Sequence, residues 1–260
     1  MESVISADGT PIAYERTGSG PPLILVHGAA SDHTRWATLV EQIKDHFTLY
    51  IMDRRGRGES GDAEKYAMAR EGEDIVALAH SIDGPVNIYG HSSGAIYSLE
   101  AAPKIENLRR LVLYEPVFSE DEVFTPAATI DELQRLVDAG KREDAVVLFL
   151  RDVAKFPEQE IERYQSLPSW SARVAAAHTF PRELRDIEDY RFPTERFADL
   201  SVPTLLLVGT ESPDMFRRSI ELLHSTLPNS HVHELAGQGH AADAIAPEMV
   251  ASALTQFLIE

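Results

Sequence analysis

The chain has 260 residues, of which 43% are hydrophobic and 25% are charged, a composition typical of a folded globular protein rather than of a mostly disordered chain. Its 24 Lys and Arg residues against 42 Asp and Glu residues give a net charge of −18, so binding to nucleic acid or to an anionic membrane is not expected. The absence of cysteine excludes disulfides, thiolate metal sites and a cysteine nucleophile.

The N-terminal sequence MESVISADGT contains no basic region followed by an apolar run, so no secretory signal peptide is expected. No apolar stretch approaches the ~20 residues that a membrane-spanning helix needs. We therefore expect a soluble, cytoplasmic protein.

Apolar runs alternate with helical patterns along much of the chain. Near the N-terminus, SVIS and PIAYERT flank Asp8-Gly9, a dipeptide typical of hairpin turns. Continuous apolar runs are typical of strands buried on both faces of a parallel sheet. They occur at Leu23–Val26, Phe47–Asp53, Val86–Gly90, Leu108–Pro116, Pro203–Gly209 and His231–Gly237. Helical patterns lie at Thr34–Ile43, Ala67–Ser81, Ser93–Ala102, Met215–Leu227 and Pro247–Leu258. This alternation predicts an α/β fold.

Residues 118–200 interrupt the alternation. The segments DELQRLVDAG, REDAVVLFLRDVAKF and SWSARVAAAHTFPRELRDIEDY are amphipathic and helical, and no clear strand pattern lies among them. We predict that residues 1–117 and 201–260 form the core and that residues 118–200 form a helical cap inserted between two strands. An ordinary helical layer is the alternative.

The segment VNIYGHSSGAIYSLEAA carries the strongest catalytic signal. Its apolar strand ends at Gly90, and GHSSG at 90–94 leads into a helix. A G-x-S-x-G pattern between a strand and a helix predicts a sharp turn that exposes the Ser92 hydroxyl as a nucleophile. Ser93 lies one place off the centre of this turn, so its N–H group is better suited to bind an oxyanion. A glycine-rich packing turn is the non-catalytic alternative.

The segment LILVHGAA places His27-Gly28 directly after a buried strand, ahead of the GHSSG turn. Acyl transfer creates an oxyanion that needs two preorganised N–H donors. We expect the N–H groups of Ala29 and Ser93 to supply them. His27 is expected to bond its loop rather than to act as a base.

A general base is expected in the segment LAGQGHAA, because catalysis by a serine needs a histidine near the nucleophile. Of the ten histidines, His240 alone lies on a loop directly after a late strand. His231 and His233 share one face of that strand, but no suitable third ligand lies nearby, so no metal site is expected.

Together these motifs resemble the α/β-hydrolase family. The resemblance rests on LILVHG, the DRRGRGES turn at 53–60, GHSSG and GQGH, and it covers nearly the whole chain. It implies a mostly parallel eight-stranded sheet flanked by helices, with a cap after the sixth strand. It also implies the order nucleophile, acid, histidine, which Ser92 and His240 obey. DRRGRGES is then a structural turn.

The triad acid departs from the family pattern. The family usually places an Asp three residues after the glycine that ends the seventh strand, and that position here is Ser212. Some members instead carry the acid after the sixth strand, where this chain has Glu115. We predict that Glu115 orients the His240 imidazole, with Glu211 and Asp214 as alternatives.

A non-catalytic role is also open for Glu115. An unpaired buried carboxylate is costly, so a salt bridge to Arg54 or Arg55 is the structural alternative.

The cap is expected to set substrate specificity. Because ligand pockets are mostly apolar, some of its apolar residues are expected to line the pocket. Arg35 and Trp36 follow the oxyanion strand and are candidate substrate contacts. Several aromatic residues in or beside the cap are candidates for the pocket over Ser92, although helix packing is the commoner role for each: Phe118, Phe149, Phe156, Tyr164, Trp170, Phe180 and Tyr190.

The sequence thus predicts a serine hydrolase that cleaves a small or medium ester or related acyl compound through an acyl-enzyme on Ser92. No metal or organic cofactor is expected, and the expected partner is a small molecule in an apolar pocket under the cap. A lyase, a C–C hydrolase or a haloperoxidase-like enzyme on the same residues, and a non-catalytic small-molecule receptor, remain alternatives. The oligomeric state is left open.

Overall fold

A computed structural model describes residues 1–118, 123–166 and 169–259, and for residue 160 the backbone alone. Residues 119–122 and 167–168 of the predicted cap lie outside the described residues. Within the described ranges, no helix has both the length and the apolar character needed to cross a membrane.

Eight strands form one sheet. They are β1 (Glu2–Ile5), β2 (Pro11–Gly18), β3 (Pro22–Val26), β4 (Thr48–Met52), β5 (Val86–His91), β6 (Leu108–Tyr114), β7 (Thr204–Gly209) and β8 (Ser230–Leu235). Their order in the sheet is β1-β2-β4-β3-β5-β6-β7-β8. β2 pairs antiparallel with β1 and β4, and every other pair is parallel. The predicted eight-stranded, mostly parallel sheet is confirmed.

Helices connect most of these strands. They are α1 (Ala37–Ile43), α2 (Met68–His80), α3 (Ser93–Ala101), α4 (Ala127–Asp138), α5 (Arg142–Leu148), α6 (Glu158–Gln165), α7 (Trp170–Ala176), α8 (Phe180–Asp189), α9 (Thr194–Phe197), α10 (Asp214–Thr226), α11 (Ala242–Ile245) and α12 (Pro247–Ile259). A 3-10 turn at His33–Trp36 precedes α1, and a π-helical turn at Phe149–Val153 extends α5.

The sheet lies between two helical layers. In β3, Ile24 and Val26 pack with α2, α3 and α10, whereas Leu23 and Leu25 pack with α1 and α12 on the opposite face. Both faces of the strand are therefore buried, which is why its sequence is continuously apolar instead of alternating.

The helices α4–α9 lie between β6 and β7 in the chain. Side chains of α4, α5, α7 and α8 form a hydrophobic cluster of their own, which includes Leu133, Val146 and Leu184. Ala30, from the loop after β3, packs into this cluster. By contrast, Phe192 and Phe197 pack into the main core, which is the hydrophobic cluster on the face of the sheet that contacts α2, α3 and α10. The helical segment thus has a separate hydrophobic cluster that covers the carboxyl end of β3.

Candidate active site

Ser92 lies on the sharp turn between β5 and α3. Its backbone torsions are φ 57° and ψ −127°, a strained conformation for a residue with a side chain. Ser92 N–H donates to the Tyr114 carbonyl oxygen of the neighbouring β6 at 2.8 Å, and this bond anchors the turn to the sheet. Ser92 lines a cavity between the sheet and the helices α4–α9.

Close contacts explain the glycines on both sides of Ser92. A Cβ atom on Gly90 would lie 2.7 Å from the Cα atom of Ala95, and a Cβ atom on Gly94 would overlap the Val26 and His27 carbonyl oxygens. The crossing of the strand and the helix therefore leaves no room for a side chain at either position.

The two predicted oxyanion donors lie beside Ser92. A Cβ atom on Gly28 would lie 2.8 Å from the Ser92 Cβ atom, so the loop after β3 passes directly against Ser92. Ala29 is the next residue in that loop. Ser93 is the first residue of α3, so no carbonyl of that helix accepts its N–H. Ala29 and Ser93 line the same cavity as Ser92.

His240 and Glu115 form a close ion pair or hydrogen bond. His240 Nδ1 lies 2.6 Å from Glu115 Oε2, and the side chains are 19% and 0% exposed. A carboxylate at this distance holds the Nδ1–H tautomer, which leaves Nε2 as the proton acceptor. His240 lines the cavity together with Ser92.

The second oxygen of Glu115 is also bound. Gly209 N–H donates to Oε1 at 2.7 Å, and the Ser212 hydroxyl donates to it at 2.5 Å. Ser212 occupies the position at which the family usually has its acid, and here it serves the carboxylate of Glu115. The two candidates on either side of it, Glu211 and Asp214, have exposed side chains.

The structure does not pair Glu115 with an arginine. Arg54 forms ion pairs with Glu71 at 2.7 Å and Glu183 at 2.9 Å. Arg55 forms ion pairs with Asp74 at 2.7 Å and Asp8 at 2.9 Å. The predicted structural alternative for Glu115 is therefore not found among the described contacts.

Backbone strain is concentrated around the cavity. Among the described residues, the non-glycine residues with positive φ are Ala30 (51°), Ser92 (57°), Glu115 (46°) and Lys155 (60°). Three of them line the cavity, and Glu115 bonds His240. Strained conformations persist only where the surrounding structure holds them, and they cluster at functional sites.

A charged network lies beneath the turn that holds Ser92. The Arg54 guanidinium donates to both carboxylate oxygens of Glu71 and, at 3.1 Å, to the Ser93 hydroxyl. It also donates to Glu183 of α8 at 2.9 Å, and Arg57 contacts the same carboxylate. All four charged side chains are buried. The DRRGRGES turn thus links the sheet, the turn that holds Ser92 and the helical segment.

His27 bonds its loop, as expected. Arg54 N–H donates to His27 Nε2 at 3.2 Å, and His27 Nδ1 donates to the Gly28 carbonyl oxygen at 2.8 Å. Burial, reinforced by the charge of Arg54, lowers the His27 pKa to about 3. A neutral imidazole is therefore a structural part of the loop after β3.

His91 supports His240 and was not identified from the sequence. His91 Nε2 donates to the His240 carbonyl oxygen at 2.8 Å. The His240 ring lies between the rings of His91 and Phe216, at centroid distances of 4.4 and 4.2 Å. Burial, together with the charges of Arg35 and His240, holds the His91 pKa well below its usual value. A neutral ring therefore lies beside the His240 imidazole and adds no positive charge there.

Arg35 and Trp36 have different locations. Arg35 lines the cavity, and its guanidinium donates to both carboxylate oxygens of Asp243 at 2.6 and 2.9 Å. Trp36 is fully buried in the core and lies against the Tyr89 ring, with centroids 5.3 Å apart. The prediction that Trp36 contacts substrate is wrong, because its side chain packs into the hydrophobic layer that includes α1 and α12.

Apolar side chains make up most of the cavity wall. Of the predicted aromatic residues, Phe149, Phe156 and Tyr164 line it. Phe118 and Tyr190 instead pack with the main core. Further apolar lining residues that the sequence did not single out are Ile96, Val117, Phe124, Leu150, Val153, Leu184, Ile187, Met215 and Phe216.

One group of side chains has the spacing of metal ligands. Ligand atoms of Asp32, His33 and Asp53 all lie within 4.8 Å of one another. Protein donors already bind these carboxylates, because Asp53 Oδ1 accepts the His33 N–H at 2.8 Å and Asp32 Oδ1 accepts the Thr34 N–H at 2.9 Å. These bonds tie the loop after β3 to the end of β4, and a structural role accounts for the cluster.

Proteins of known structure and activity resemble this chain. A solved alpha/beta hydrolase from Sphaerobacter thermophilus is 39% identical, with a TM-score of 0.88 over 99% of this chain and 100% of that chain. A 2-(acetamidomethylene)succinate hydrolase from Mesorhizobium japonicum is 25% identical over 93% of this chain and 89% of its own length. An N-formylmaleamate deformylase from Pseudomonas putida is 36% identical over 44% of this chain and 45% of its own length.

The family model described as "Alpha/beta hydrolase family" matches residues 23–253. This match covers the sheet from β3 onward, the helical segment and every residue of the candidate site. The chain belongs to the alpha/beta hydrolase family.

Proposed function

We propose that this protein is a serine hydrolase that cleaves a small or medium ester, or a related acyl compound, through an acyl-enzyme on Ser92. The observation that carries the proposal is the 2.6 Å contact between His240 Nδ1 and Glu115 Oε2, in a cavity that Ser92 also lines. A nucleophile, a base and an acid that orients the base are the parts that acyl transfer by serine requires.

In the proposed first half-reaction, Ser92 Oγ attacks the substrate carbonyl carbon while His240 Nε2 accepts the hydroxyl proton. Glu115 stabilises the imidazolium that results, because its carboxylate lies against Nδ1–H. The Ala29 and Ser93 N–H groups stabilise the negative charge on the carbonyl oxygen. When the tetrahedral intermediate collapses, His240 donates the proton to the leaving alcohol.

In the second half-reaction, water attacks the acyl-enzyme and His240 accepts a proton from it. The same two N–H groups hold the second oxyanion, and Ser92 leaves with the returned proton. The products are a carboxylic acid and an alcohol, and the chemistry uses only side chains and backbone groups of this chain.

The size of the cavity favours a substrate with a small acyl group. Its volume is about 120 Å³, similar to the ~150 Å³ apolar cavity that accommodates a benzene molecule. The predominantly apolar wall formed by Phe149, Phe156 and their neighbours favours apolar chain atoms directly next to the reacting carbon.

The direct test is hydrolysis of 4-nitrophenyl acetate, butyrate and octanoate by the wild-type protein and by Ser92→Ala. We expect turnover by the wild type that decreases toward octanoate, and none above background by Ser92→Ala. Turnover that survives in Ser92→Ala would contradict the proposal. Absence of turnover in folded wild-type protein would favour a receptor or another reaction on the same residues.

The second candidate is a hydrolase acting on a bond other than an oxygen ester, including a C–C bond. It is favoured by the relatives, which are named as a 2-(acetamidomethylene)succinate hydrolase and an N-formylmaleamate deformylase. Both candidates use Ser92, so the same variant tests them. Assaying those two named substrates beside the 4-nitrophenyl esters distinguishes the candidates by their relative kcat/KM.

A further inference from the structure

Four side chains with formal charges line the cavity, apart from the histidines. They are Arg35, Lys155, Arg173 and Glu188. The cavity therefore has three cations against one carboxylate, although the chain as a whole carries a net charge of −18. This local excess of positive charge is opposite in sign to the rest of the molecule.

Two of these groups already have partners. Arg35 is neutralised by the two carboxylate oxygens of Asp243, at 2.6 and 2.9 Å. Glu188 accepts the Thr125 N–H at 2.6 Å, and burial raises its pKa. Lys155 is exposed to solvent. Arg173 is the remaining cation, and it is buried without a carboxylate partner among the described residues.

Arg173 belongs to α7 and is only 9% exposed. Its Nη1 donates to the Ala30 carbonyl oxygen at 2.8 Å, and its guanidinium lies 4.7 Å from the centre of the Tyr164 ring. Its Nε has no hydrogen-bond partner, and no carboxylate of the described ranges forms an ion pair with it. A buried guanidinium without a counter-ion is costly, so a compensating group is expected.

The position of Arg173 relates it to the reacting centre. Ala30 follows Ala29, whose N–H is a proposed oxyanion donor, and Arg173 is bound to the Ala30 carbonyl oxygen. Arg173 and Ser92 line the same cavity. A ligand whose carbonyl group lies at Ser92 therefore has the Arg173 guanidinium, from α7, in the wall of the same cavity.

We propose that Arg173 binds a carboxylate of the substrate, so that the acyl compound attacked by Ser92 carries a second, free carboxylate group. This inference rests on the proposed hydrolase function and names its substrate class. A guanidinium offers paired N–H donors in the geometry that a carboxylate accepts. The bound carboxylate forms the direct ion pair that no carboxylate of the described residues forms with Arg173.

A purely structural role is the alternative, because Arg173 also holds the oxyanion loop through Ala30. The two roles predict different substrate dependence. Loss of a loop contact slows every substrate, whereas loss of a carboxylate-binding residue slows only substrates that carry the charge.

The test compares half-esters with diesters. Monomethyl succinate and monomethyl glutarate, and the corresponding neutral dimethyl esters, are hydrolysed in a pH-stat by the wild type, Arg173→Met and Arg173→Lys. We expect Arg173→Met to lower kcat/KM for the half-esters by at least tenfold, as expected for the loss of a charged hydrogen bond. The diesters should change by less than threefold, and Arg173→Lys should recover part of the loss.

Arg142→Met is the matched control. Arg142 is an exposed arginine of the same helical segment, and its Nη1 also donates to a backbone carbonyl, that of Ala175, at 3.3 Å. Its replacement should leave the ratio of half-ester to diester turnover unchanged. If Arg173→Met lowers both classes equally, or lowers neither, the carboxylate-binding role is refuted.

A binding measurement separates this inference from the proposed function. Calorimetric titration of Ser92→Ala and of Ser92→Ala with Arg173→Met uses monomethyl glutarate as the probe and dimethyl glutarate as its neutral control. We expect the second substitution to weaken half-ester binding by at least tenfold and leave diester binding unchanged. If the wild type hydrolyses no ester, the ester-hydrolase proposal fails and this binding result alone decides the role of Arg173. Equal half-ester affinity in the two proteins would overturn that role.

Discussion

His240 Nδ1 lies 2.6 Å from Glu115 Oε2, although Glu115 follows β6 and the usual acid position after β7 is Ser212. The Ser212 hydroxyl donates to the other oxygen of the same carboxylate at 2.5 Å. The ends of β6 and β7 are adjacent in the sheet, so a carboxylate from either strand reaches the same imidazole. Glu115 therefore contacts the His240 imidazole from the end of β6, and the usual family position after β7 holds a hydroxyl that bonds the same carboxylate.

Replacing Glu115 tests its role directly. Glu115→Gln keeps the shape of the side chain but no longer stabilises the imidazolium, so kcat should decrease by a factor on the order of 10⁴. Glu211→Gln and Asp214→Asn serve as controls, because both side chains are exposed and should leave kcat within about twofold of the wild type. Steady-state kinetics on 4-nitrophenyl butyrate measures all three. A large effect in either control would transfer the role from Glu115.

If the positions after β6 and after β7 can both hold the acid, a carboxylate at residue 212 should replace the one at residue 115. In protein carrying Glu115→Gln, the additional change Ser212→Asp places a carboxylate at the usual family position, beside the space that Glu115 Oε1 occupies. We expect the double variant to recover at least tenfold in kcat over Glu115→Gln alone. No recovery, in protein shown to be folded by circular dichroism, would mean that residue 212 does not reach His240.

The tight contact between Gly28 and Ser92 predicts sensitivity to a single methyl group. A Cβ atom at residue 28 would lie 2.8 Å from Ser92 Cβ and 3.2 Å from His91 Nδ1, so Gly28→Ala must shift either Ser92 or the loop after β3. Because a displacement of about 1 Å can cost about 10²-fold in rate, we expect a loss of that order in kcat.

Gly72→Ala is the matched control for this change. Gly72 lies within α2, and a Cβ atom there would meet no atom closer than 3.8 Å. It should leave kcat unchanged and increase the free energy of unfolding by about 0.5–1 kcal/mol, because alanine favours a helix over glycine. Equal kcat values for the two variants would contradict the proposed packing at Ser92.

The network beneath Ser92 predicts a dependence of stability on pH. Burial opposes ionisation of Glu183, but the charges of Arg54 and Arg57 outweigh it and lower the Glu183 pKa to about 2. A lowered carboxyl pKa stabilises the fold above the unfolded value near 4.5, and this contribution is lost as the pH falls from there toward 2. Urea unfolding of the wild type between pH 7 and pH 3 should show the decline.

Glu183→Gln should remove that part of the pH dependence. At pH 7 it breaks a buried ion pair, so the free energy of unfolding should fall by about 3–5 kcal/mol. The control Glu132→Gln removes an exposed carboxylate paired with Arg135, and its unfolding should match the wild type because exposed pairs contribute little. A stability for Glu183→Gln that equals the wild type at pH 7 would refute the importance of the network.

Local chemistry explains what the sequence predicted well. A continuous apolar run needs only its own residues to indicate a buried strand, and the six predicted runs all correspond to strands of the sheet. The GHSSG pattern likewise encodes a strand, a turn and a helix within a few residues, because the required small side chains are adjacent in the chain. Residues that are adjacent in the chain are enough to specify these features.

Contacts between distant segments explain what the sequence did not predict. His91 bonds His240 across 149 residues, and no periodicity records that contact. Trp36 follows Arg35 directly, yet the two side chains diverge, one into the core and one into the cavity. Whether Arg173 has a carboxylate partner depends on which carboxylates lie near it in the folded protein. That is set by how all the helices pack together.

Covalent labelling is the sharpest test of the proposal that Ser92 is an activated nucleophile. An alkyl fluorophosphonate reacts with an activated serine hydroxyl, which displaces fluoride and forms a phosphonate ester on Oγ. Intact-mass and peptide-mass measurements should show one adduct per chain, on Ser92, that is absent from Ser92→Ala and forms far more slowly in His240→Ala. An unmodified wild-type protein, or an adduct on Ser93, would contradict the claim.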